Sequence, residues 1–177
     1  MVLETQASLI KRLRRKPVHD PANAVSVAYG REHLHRLLPH REPFLLIDSI
    51  DSIDLSQRTI RGRRRLDPND PVFAGHFPGT PVYPGVLQVE MIGQLALCLA
   101  HFITHETCEV GPEARPAEVR ALRIHYAQYQ LPVYPDHAVE VHAAILEEDG
   151  MTATCAGQVI LDGNIASFAV EEVYFVE

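Results

Sequence analysis

A histidine and a glutamate in the stretch 75-GHFPGTPVYPGVLQVEMIGQ-94 could form an acid/base pair. His76 opens a proline-rich loop, and Glu90 interrupts an apolar run that has the character of a helix. Because a neutral histidine can accept a proton and a carboxyl group can donate one, the two residue types suit general acid–base catalysis. Gln94 follows Glu90 by one helical turn and could orient its carboxyl group. A structural histidine and a solvent-exposed glutamate would give the same spacing, so the pattern alone leaves both interpretations open.

The residues between the two groups are typical of a stiff loop that leads into a helix. Pro78 and Pro81 fix φ angles in the loop, and Pro84 suits the first position of a helix, where a proline loses no useful N–H group. The helix N-terminus at Gly85 would present unpaired N–H groups and the positive end of the helix dipole. A thioester or ester carbonyl placed there would have its developing negative charge stabilised.

The rest of the chain supplies a long helix and a set of strands. Residues from Val86 to about His105 are apolar almost all round, which is typical of a helix buried on every side. Turn signals at 149-DG-150 and 162-DGN-164 separate the last three strands and indicate hairpins. The sequence therefore predicts an α+β fold in which an antiparallel sheet wraps around the long helix. A shorter helix is predicted at 31–38, and strands are predicted at 44–50, 58–66, 119–129, 138–147, 151–161 and 165–176.

One small sheet cannot cover such a helix alone, and its edge strands would be unpaired. Pairing of two copies edge to edge would remove both problems, so a homodimer is expected. Residues 31–177 are predicted to form this single domain. Residues 1–30 are predicted to be a basic N-terminal extension that is mobile unless it docks on a partner.

Charge is distributed unevenly along the 177 residues, although the net charge is only −7. Residues 1–66 carry 13 basic and 7 acidic groups, whereas residues 67–177 carry 3 basic and 16 acidic groups. Most of the positive charge lies in the clusters 11-KRLRRK-16 and 61-RGRRR-65. Each cluster is either a solvated face or a docking surface for an acidic partner. No nucleic-acid-binding motif accompanies them, so no nucleic acid partner is expected.

The cysteines and the longest apolar run favour a cytoplasmic protein. Cys98, Cys108 and Cys155 show no CxxC spacing and cannot all pair, so a disulfide framework is not expected. The apolar run from Val86 to Ile103 is broken by several polar residues, which argues against a membrane span. The basic residues near the N-terminus follow a short apolar piece, which is the reverse of the order in a signal peptide.

Two separated strings carry a family resemblance over about residues 36–100. The strings 38-LPHREPFLLID-48 and 75-GHFPGTPVYPGVLQVEMIGQ-94 resemble, in this order, the β-hydroxyacyl-acyl carrier protein dehydratases of fatty acid synthesis, which have the hotdog fold. The resemblance implies an antiparallel sheet wrapped around a long central helix, a dimer, and often a trimer of dimers. It also implies that a glutamate on this helix, rather than an aspartate, marks the branch that dehydrates without isomerising the double bond.

The resemblance also implies roles for the site residues. His76 matches the catalytic histidine, and Glu90 matches its acidic partner, which the other chain of the dimer contributes. Gly85 matches the glycine whose N–H faces the thioester carbonyl, and Gln94 matches a recurrent glutamine of the helix. The remaining substrate-binding residues would be Phe77, Tyr83 and Val86.

The implied reaction transfers two protons and needs no metal and no redox cofactor. His76 would remove a proton from the carbon beside the thioester carbonyl, and Glu90 would protonate the departing β-hydroxyl, which yields a trans-2-enoyl thioester and water. The acyl chain would be carried on the phosphopantetheine arm of an acidic acyl carrier protein, in fatty acid, polyketide or polyene synthesis. The carrier would contact the second basic cluster, which contains Arg61, Arg63, Arg64 and Arg65.

The sequence departs from the family pattern at several places, among them Thr80, where a basic or amide residue is usual, and the basic extension at 1–30. Tyr83 stands where methionine is common, and 129-YQLPVYPDH-137 lacks the arginine of an aromatic–Arg pair that precedes PV-x-PGD in the family. Two alternatives therefore stay open. One is a hotdog acyl-thioesterase, in which Glu90 would activate water, and the other is a non-catalytic subunit that binds acyl chains or carrier protein.

Two groups of histidines resemble metal ligands, but neither has the spacing of a metal site. A helix would place His33 and His35 on different faces, and His40 lies beyond the proline that ends this helix. His101 and His105 share a helical face, but no glutamate intervenes in the pattern of a zinc protease. No metal site is expected.

Overall fold

The computed structural model describes residues 6–176. Four α-helices and seven strands follow one another in this part of the chain, together with one 3-10 turn (Pro21–Asn23). The helices are α1 (Gln6–Leu13), α2 (Arg31–Leu37), α3 (Val72–Gly75) and α4 (Gly85–Thr104). The strands are β1 (Val25–Tyr29), β2 (Ser49–Asp54), β3 (Thr59–Arg65), β4 (Val119–Tyr129), β5 (Ala138–Glu148), β6 (Thr152–Leu161) and β7 (Asn164–Phe175).

The seven strands form one antiparallel sheet in the order β1-β2-β3-β5-β6-β7-β4. The sheet packs against α4, which contacts β3, β5, β6 and β7. Complete burial of a large apolar side chain stabilises a fold by roughly 1.5–3 kcal/mol. Because α4 carries apolar side chains on every side, it lies at the centre of the core. The predicted α+β arrangement of a sheet around a long helix is confirmed. The side chains of α4 that have no exposed surface are Met91, Ile92, Leu95, Cys98, Leu99 and Phe102.

The apolar character of α4 is that of a core helix. By length and composition it is the one helix of the described residues that could cross a membrane. However, 61% of its most apolar window is buried inside the domain. Packing against the sheet therefore accounts for the composition of α4.

The strand predicted at 44–50 begins later than expected, because β2 starts at Ser49. The side chain of Gln94 on α4 bonds the backbone that precedes β2. Its Oε1 accepts from the N–H of Leu46 (2.8 Å), and its Nε2 donates to the carbonyl oxygen of Phe44 (2.9 Å). A helix side chain thus replaces a neighbouring strand as the hydrogen-bond partner of these residues.

The predicted N-terminal extension contains an α-helix and a strand that the sequence pattern did not indicate. β1 pairs with β2 at one edge of the sheet. α1 directs Leu9 and Leu13 towards the sheet, where they form an apolar cluster with Phe168 and Val170 that is separate from the cluster around α4. The extension therefore packs on the chain's own sheet. Residues 1–5 of the extension lie outside the described residues, and the domain boundary at residue 30 stays a prediction.

Gln158 on β6 anchors the segment that follows α1. Its side chain is completely buried. Its Nε2 donates to the carbonyl oxygens of Leu13 (2.6 Å) and Lys16 (2.8 Å), and its Oε1 accepts from the N–H of Val18 (2.8 Å). The last carbonyls of a helix lack partners within the helix, so this one amide satisfies backbone groups that would otherwise be unpaired.

His19 makes a second buried polar contact between the extension and the sheet. Its ring nitrogens lie 3.0 Å from Thr59 Oγ1 and 2.8 Å from Ser52 Oγ. Burial, helped by the nearby positive charges of His142 and Arg61, lowers the pKa of His19 to about 4. The ring is therefore neutral at pH 7, and each of its nitrogens has a hydroxyl partner.

Candidate active site

Gln94 fixes the carboxyl group of Glu90, one turn away on α4. Gln94 is 1% exposed, and its Nε2 donates to Glu90 Oε1 (2.9 Å) as well as to the Phe44 carbonyl. Its Oε1 accepts from the Leu46 N–H, so the surrounding backbone determines which way the amide points. The amide in turn orients Glu90. The contact expected from the helical spacing is present, while a contact of Gln94 with substrate stays a prediction.

His40 is a second neighbour of Glu90, although its place in the sequence suggested only a metal ligand, with the wrong spacing for one. Its Nε2 lies 3.4 Å from Glu90 Oε1. Burial lowers the pKa of His40, even though the charge of Glu90 acts in the opposite direction. A neutral imidazole can donate one hydrogen bond from Nε2 to the carboxylate. The signal that could have found this residue is the string 38-LPHREPFLLID-48, which contains it.

The loop that follows α3 positions His76. Its Nδ1 lies 2.8 Å from the carbonyl oxygen of Val82, and the Val82 N–H donates to the His76 carbonyl (2.9 Å). Because a carbonyl oxygen can only accept, Nδ1 is the nitrogen that carries the proton in the neutral form of the ring, and in that form Nε2 has the lone pair of a base. The ring of Phe77 stacks on the imidazole, with 4.0 Å between the ring centroids.

One chain does not bring His76 and Glu90 into contact. The polar partners of the Glu90 side chain are Gln94 and His40, whereas that of the His76 ring is Val82. Within residues 6–176 no hydrogen bond or ion pair joins the two groups. A single chain therefore presents the two halves of the predicted acid/base pair separately.

The N-terminus of α4 is in contact with an aromatic ring. A Cβ at Gly85 would lie 2.5 Å from the ring of Tyr129, so any larger residue at this position would displace the ring. Tyr129 is the last residue of β4 and is half exposed, and Val86 beside Gly85 is largely exposed. The ring and the helix N-terminus therefore form one accessible surface.

Tyr83 packs inside the domain. It is 2% exposed, and its ring lies 5.8 Å from that of Phe73, measured between centroids. Burial raises the pKa of Tyr83 to about 12, and its hydroxyl has no hydrogen-bond partner in the described part of the chain. Its N–H donates to the carbonyl of Val133 (2.7 Å), which ties the loop before α4 to the segment after β4. Substrate contact by Phe77, Tyr83 and Val86 stays a prediction.

A family model described as a FabA-like domain matches residues 38–169, well over half of the chain. The chain belongs to the FabA-like domain family. A FabZ 3-hydroxyacyl-[acyl-carrier-protein] dehydratase of a Methylobacterium species is 38% identical over 144 residues, which cover 77% of this chain and 82% of the relative. The FabZ dehydratase of a Nitratiruptor species is 31% identical over 144 residues, which cover 81% of this chain and 95% of the relative. The resemblance found in the two strings is confirmed.

A solved structure supports the fold of this FabA-like chain. The dehydratase heterocomplex ApeI:P from Xenorhabdus doucetiae superposes with a TM-score of 0.64 at 17% sequence identity, covering 81% of this chain and 91% of that chain. At this identity the likeness concerns the fold alone. The predicted hotdog fold is confirmed.

One partly buried carboxyl group of the FabA-like domain was missed in the sequence. Gly93 of α4 faces Glu171 of β7, because a Cβ at Gly93 would lie 3.3 Å from Glu171 Oε2. Burial and the charge of Glu90 raise the pKa of Glu171 to about 8, and its Oε1 has no hydrogen-bond partner among the described residues. A neutral carboxyl group therefore lies beside the helix that carries Glu90. Successive side chains of a strand alternate between its two faces, so Glu171 lies on the same face of β7 as Ala169, which packs in the core around α4. This alternation could have identified Glu171 from the sequence.

The arginine cluster predicted to contact the carrier is divided between the surface and the interior of the FabA-like domain. Arg64 has only 8% of its side chain exposed, whereas the side chain of Arg65 is 69% exposed. The four arginines thus do not form one free patch. Each approaches an aspartate of the same chain: Arg61 and Arg63 approach Asp51, Arg64 approaches Asp48, and Arg65 approaches Asp136.

Proposed function

We propose that this protein dehydrates a β-hydroxyacyl thioester on acyl carrier protein to the trans-2-enoyl thioester, in fatty acid or polyketide/polyene synthesis. The observation that carries the proposal is the fixed carboxyl group of Glu90, which Gln94 and His40 hold at an accessible helix face in a FabA-like chain. The names of the FabZ relatives describe the same reaction class.

His76 is the base and Glu90 the acid of this reaction. The free Nε2 of His76 removes a proton from the carbon beside the thioester carbonyl. The N–H groups at the start of α4, including that of Gly85, stabilise the negative charge that develops on the carbonyl oxygen. Glu90 then protonates the β-hydroxyl as it leaves as water. These proton transfers require neither a metal nor a redox cofactor.

The separation of the two groups supports an active site shared between two copies. We place His76 of one protomer against the partner's Glu90, in a homodimer that pairs along β4. β4 is an edge strand, and its apolar side chains Leu122 and Ile124 are 54% and 59% exposed. An exposed apolar edge strand is a template for pairing with another chain. Three such dimers could assemble further, as in the trimers of dimers that the resemblance implies.

The acyl group would reach the site on the phosphopantetheine arm of the carrier protein, and the reaction would take place in the cytoplasm. Of the arginines first predicted to contact the carrier, Arg63 and Arg65 have exposed side chains, although each pairs with an aspartate. Because these aspartates offset the charge of the two arginines, we expect Arg63 and Arg65 to contribute little to carrier binding.

Hydration of a trans-2-enoyl pantetheine thioester, the reverse reaction, tests the proposal. Loss of enoyl absorbance should be rapid with wild type and slower by about 10²- to 10⁴-fold with His76→Ala or Glu90→Gln. Both variants should keep the wild-type dimer mass and unfolding curve. Release of free thiol without hydration would replace the dehydratase by a thioesterase, and carrier binding without either reaction would indicate a non-catalytic subunit.

A mixture of the two variants tests the shared site. A dimer of one His76→Ala chain and one Glu90→Gln chain would contain one intact pair, so equal mixing after subunit exchange should restore about a quarter of the sites. No recovery, with exchange verified by mass, would mean that each chain builds its own site.

A further inference from the structure

The segment that follows α1 forms a basic groove with the loop after β4. Arg14 Nε donates to Gln130 Oε1 (3.2 Å), and Gln130 Nε2 donates to the carbonyl of Ile165 (3.2 Å). Gln130 stands where the family motif has its arginine, so Arg14 brings a guanidinium group to this place from a distant part of the chain. The groove has a volume of about 330 Å³ and is lined by residues that include Arg14, Arg15, Pro17, Gln130, Leu131 and Asn164.

No carboxylate of the described residues neutralises the charges at this groove. We refer to Arg14, Arg15 and Lys16 as the α1 basic surface; all three side chains are exposed. No carboxylate lies within ion-pair distance of any of them across the described residues 6–176. Three consecutive cations with no counter-charge in the described part of the chain attract an anionic partner and raise its rate of encounter.

The groove lies next to the N-terminus of α4. Gln130 directly follows Tyr129, whose ring covers Gly85. A few residues further along, the carbonyl of Val133 accepts from the Tyr83 N–H, just before α4 begins. The segment that forms one wall of the groove is therefore also in contact with the start of the catalytic helix.

The α1 basic surface is held in place before any partner arrives. The Gln158 side chain bonds the carbonyls of Leu13 and Lys16, which bracket the two arginines. The buried Leu9 and Leu13 fix α1 on the sheet. A preorganised surface loses less conformational entropy when it binds than a mobile tail would.

We propose that the α1 basic surface docks the acidic acyl carrier protein, with Arg14 and Arg15 binding the phosphate of its phosphopantetheine arm beside the active-site entrance. This inference rests on the proposed function, because the carrier is the occupant that brings both acidic side chains and a phosphodiester to this end of α4. Arginine suits that role, since its guanidinium group binds phosphate through two parallel hydrogen bonds. The N-terminal extension is thus part of the recognition of substrate.

Two matched triple variants test the docking surface. In one, Arg14, Arg15 and Lys16 are replaced by glutamine, and in the other Arg61, Arg63 and Arg65 are replaced by glutamine, so each loses three positive charges. Enoyl hydration is measured with the acyl group on holo carrier protein and on free pantetheine. We expect the first variant to raise KM for the carrier-bound substrate by about 10- to 100-fold and to leave the pantetheine substrate within about twofold. The second variant should change the carrier KM by no more than about threefold.

Three results would overturn the inference. These are an equal loss on both substrates, an unchanged carrier KM in the first variant, and a larger effect in the second variant than in the first. Fluorescence anisotropy of labelled holo carrier protein measures docking independently of turnover. If wild type hydrates neither substrate but binds the carrier through the α1 basic surface, the proposed reaction fails while the docking surface stands.

Discussion

The two basic clusters differ in how much of their charge is available to a partner. In the β3 cluster, which consists of the four arginines at positions 61, 63, 64 and 65, every arginine approaches an aspartate of the same chain, and Arg64 is buried. On the α1 basic surface no cation has such a partner among the described residues. The difference follows from position: β3 lies between β2 and β5, where neighbouring strands and loops supply carboxylates, whereas the end of α1 runs into an exposed turn. Charge density along the sequence therefore does not measure the charge that a partner would meet.

The largest loss of stability should follow when the buried arginine of the β3 cluster is replaced. Arg64 Nη1 lies 3.0 Å from Asp48 Oδ1 and 3.4 Å from the carbonyl of Leu45. Arg64→Ala should lower the free energy of unfolding by about 3 kcal/mol, because it removes a buried side chain together with its hydrogen bonds to Asp48 and to the Leu45 carbonyl, while Asp48 keeps Arg31 as an ion-pair partner. Urea denaturation measures this, and Arg65→Ala, at an exposed pair, should cost less than about 1 kcal/mol. Equal losses would contradict the division of the cluster into buried and surface arginines.

The next largest loss of stability should follow when Gln158, whose side chain holds the α1 basic surface on the sheet, is replaced. Gln158→Leu would leave the carbonyls of Leu13 and Lys16 and the Val18 N–H without partners, and should lower the free energy of unfolding by about 2 kcal/mol. It should also raise KM for the carrier-bound substrate, while Gln57→Leu on the exposed β2–β3 turn should do neither. A destabilised Gln158→Leu enzyme with a wild-type carrier KM would mean that anchoring does not serve docking.

A smaller loss of stability should appear as pH falls, because His19, the second buried contact between the extension and the sheet, becomes protonated. The pKa of His19 is about 4 in the folded protein and 6.5 without its surroundings. Between these values the unfolded chain binds more protons, so stability should decrease by about 1–2 kcal/mol as pH falls from 6.5 to about 5. The charged or titratable groups that act on the His19 ring are His142, Arg61, Asp54 and Asp20.

Urea denaturation at several pH values compares wild type with His19→Gln. The variant should show a shallower slope between the folded and unfolded pKa values of His19. It should retain part of that slope, because burial also lowers the pKa of His142. Identical slopes in the two proteins would show that His19 is not the group that titrates.

The core of this fold could be predicted because its signals are local. The apolar run of α4, the Asp149-Gly150 turn and the alternation of the late strands each lie within a few residues of the sequence. The types and spacing of His76 and Glu90 are local signals as well, but by themselves they left a catalytic and a structural interpretation open, and their roles in proton transfer stay predictions.

The parts that were missed depend on contacts between distant residues. α1 is stabilised on the sheet by Phe168 and Gln158, which no pattern within the N-terminal extension could indicate. The residues before β2 looked like a strand, but the Gln94 side chain takes their hydrogen bonds. His40 and Glu90 lie in two separate strings of the sequence, and only the fold brings them together.

The smallest effect, and the one that most directly compares the clusters, is the dependence of carrier KM on salt. Exposed charges are screened over about 10 Å at 0.1 M ionic strength, so KM for the carrier-bound substrate should rise about fivefold between roughly 0.05 and 0.5 M NaCl. Glutamine at positions 14, 15 and 16 should flatten this dependence, because the steering charges are gone. Glutamine at positions 61, 63 and 65 should leave it close to wild type, since those arginines are already paired with aspartates. The pantetheine thioester, which lacks the acidic carrier, serves as the control at each salt concentration. A salt dependence lost only in the second variant would move the docking surface to β3.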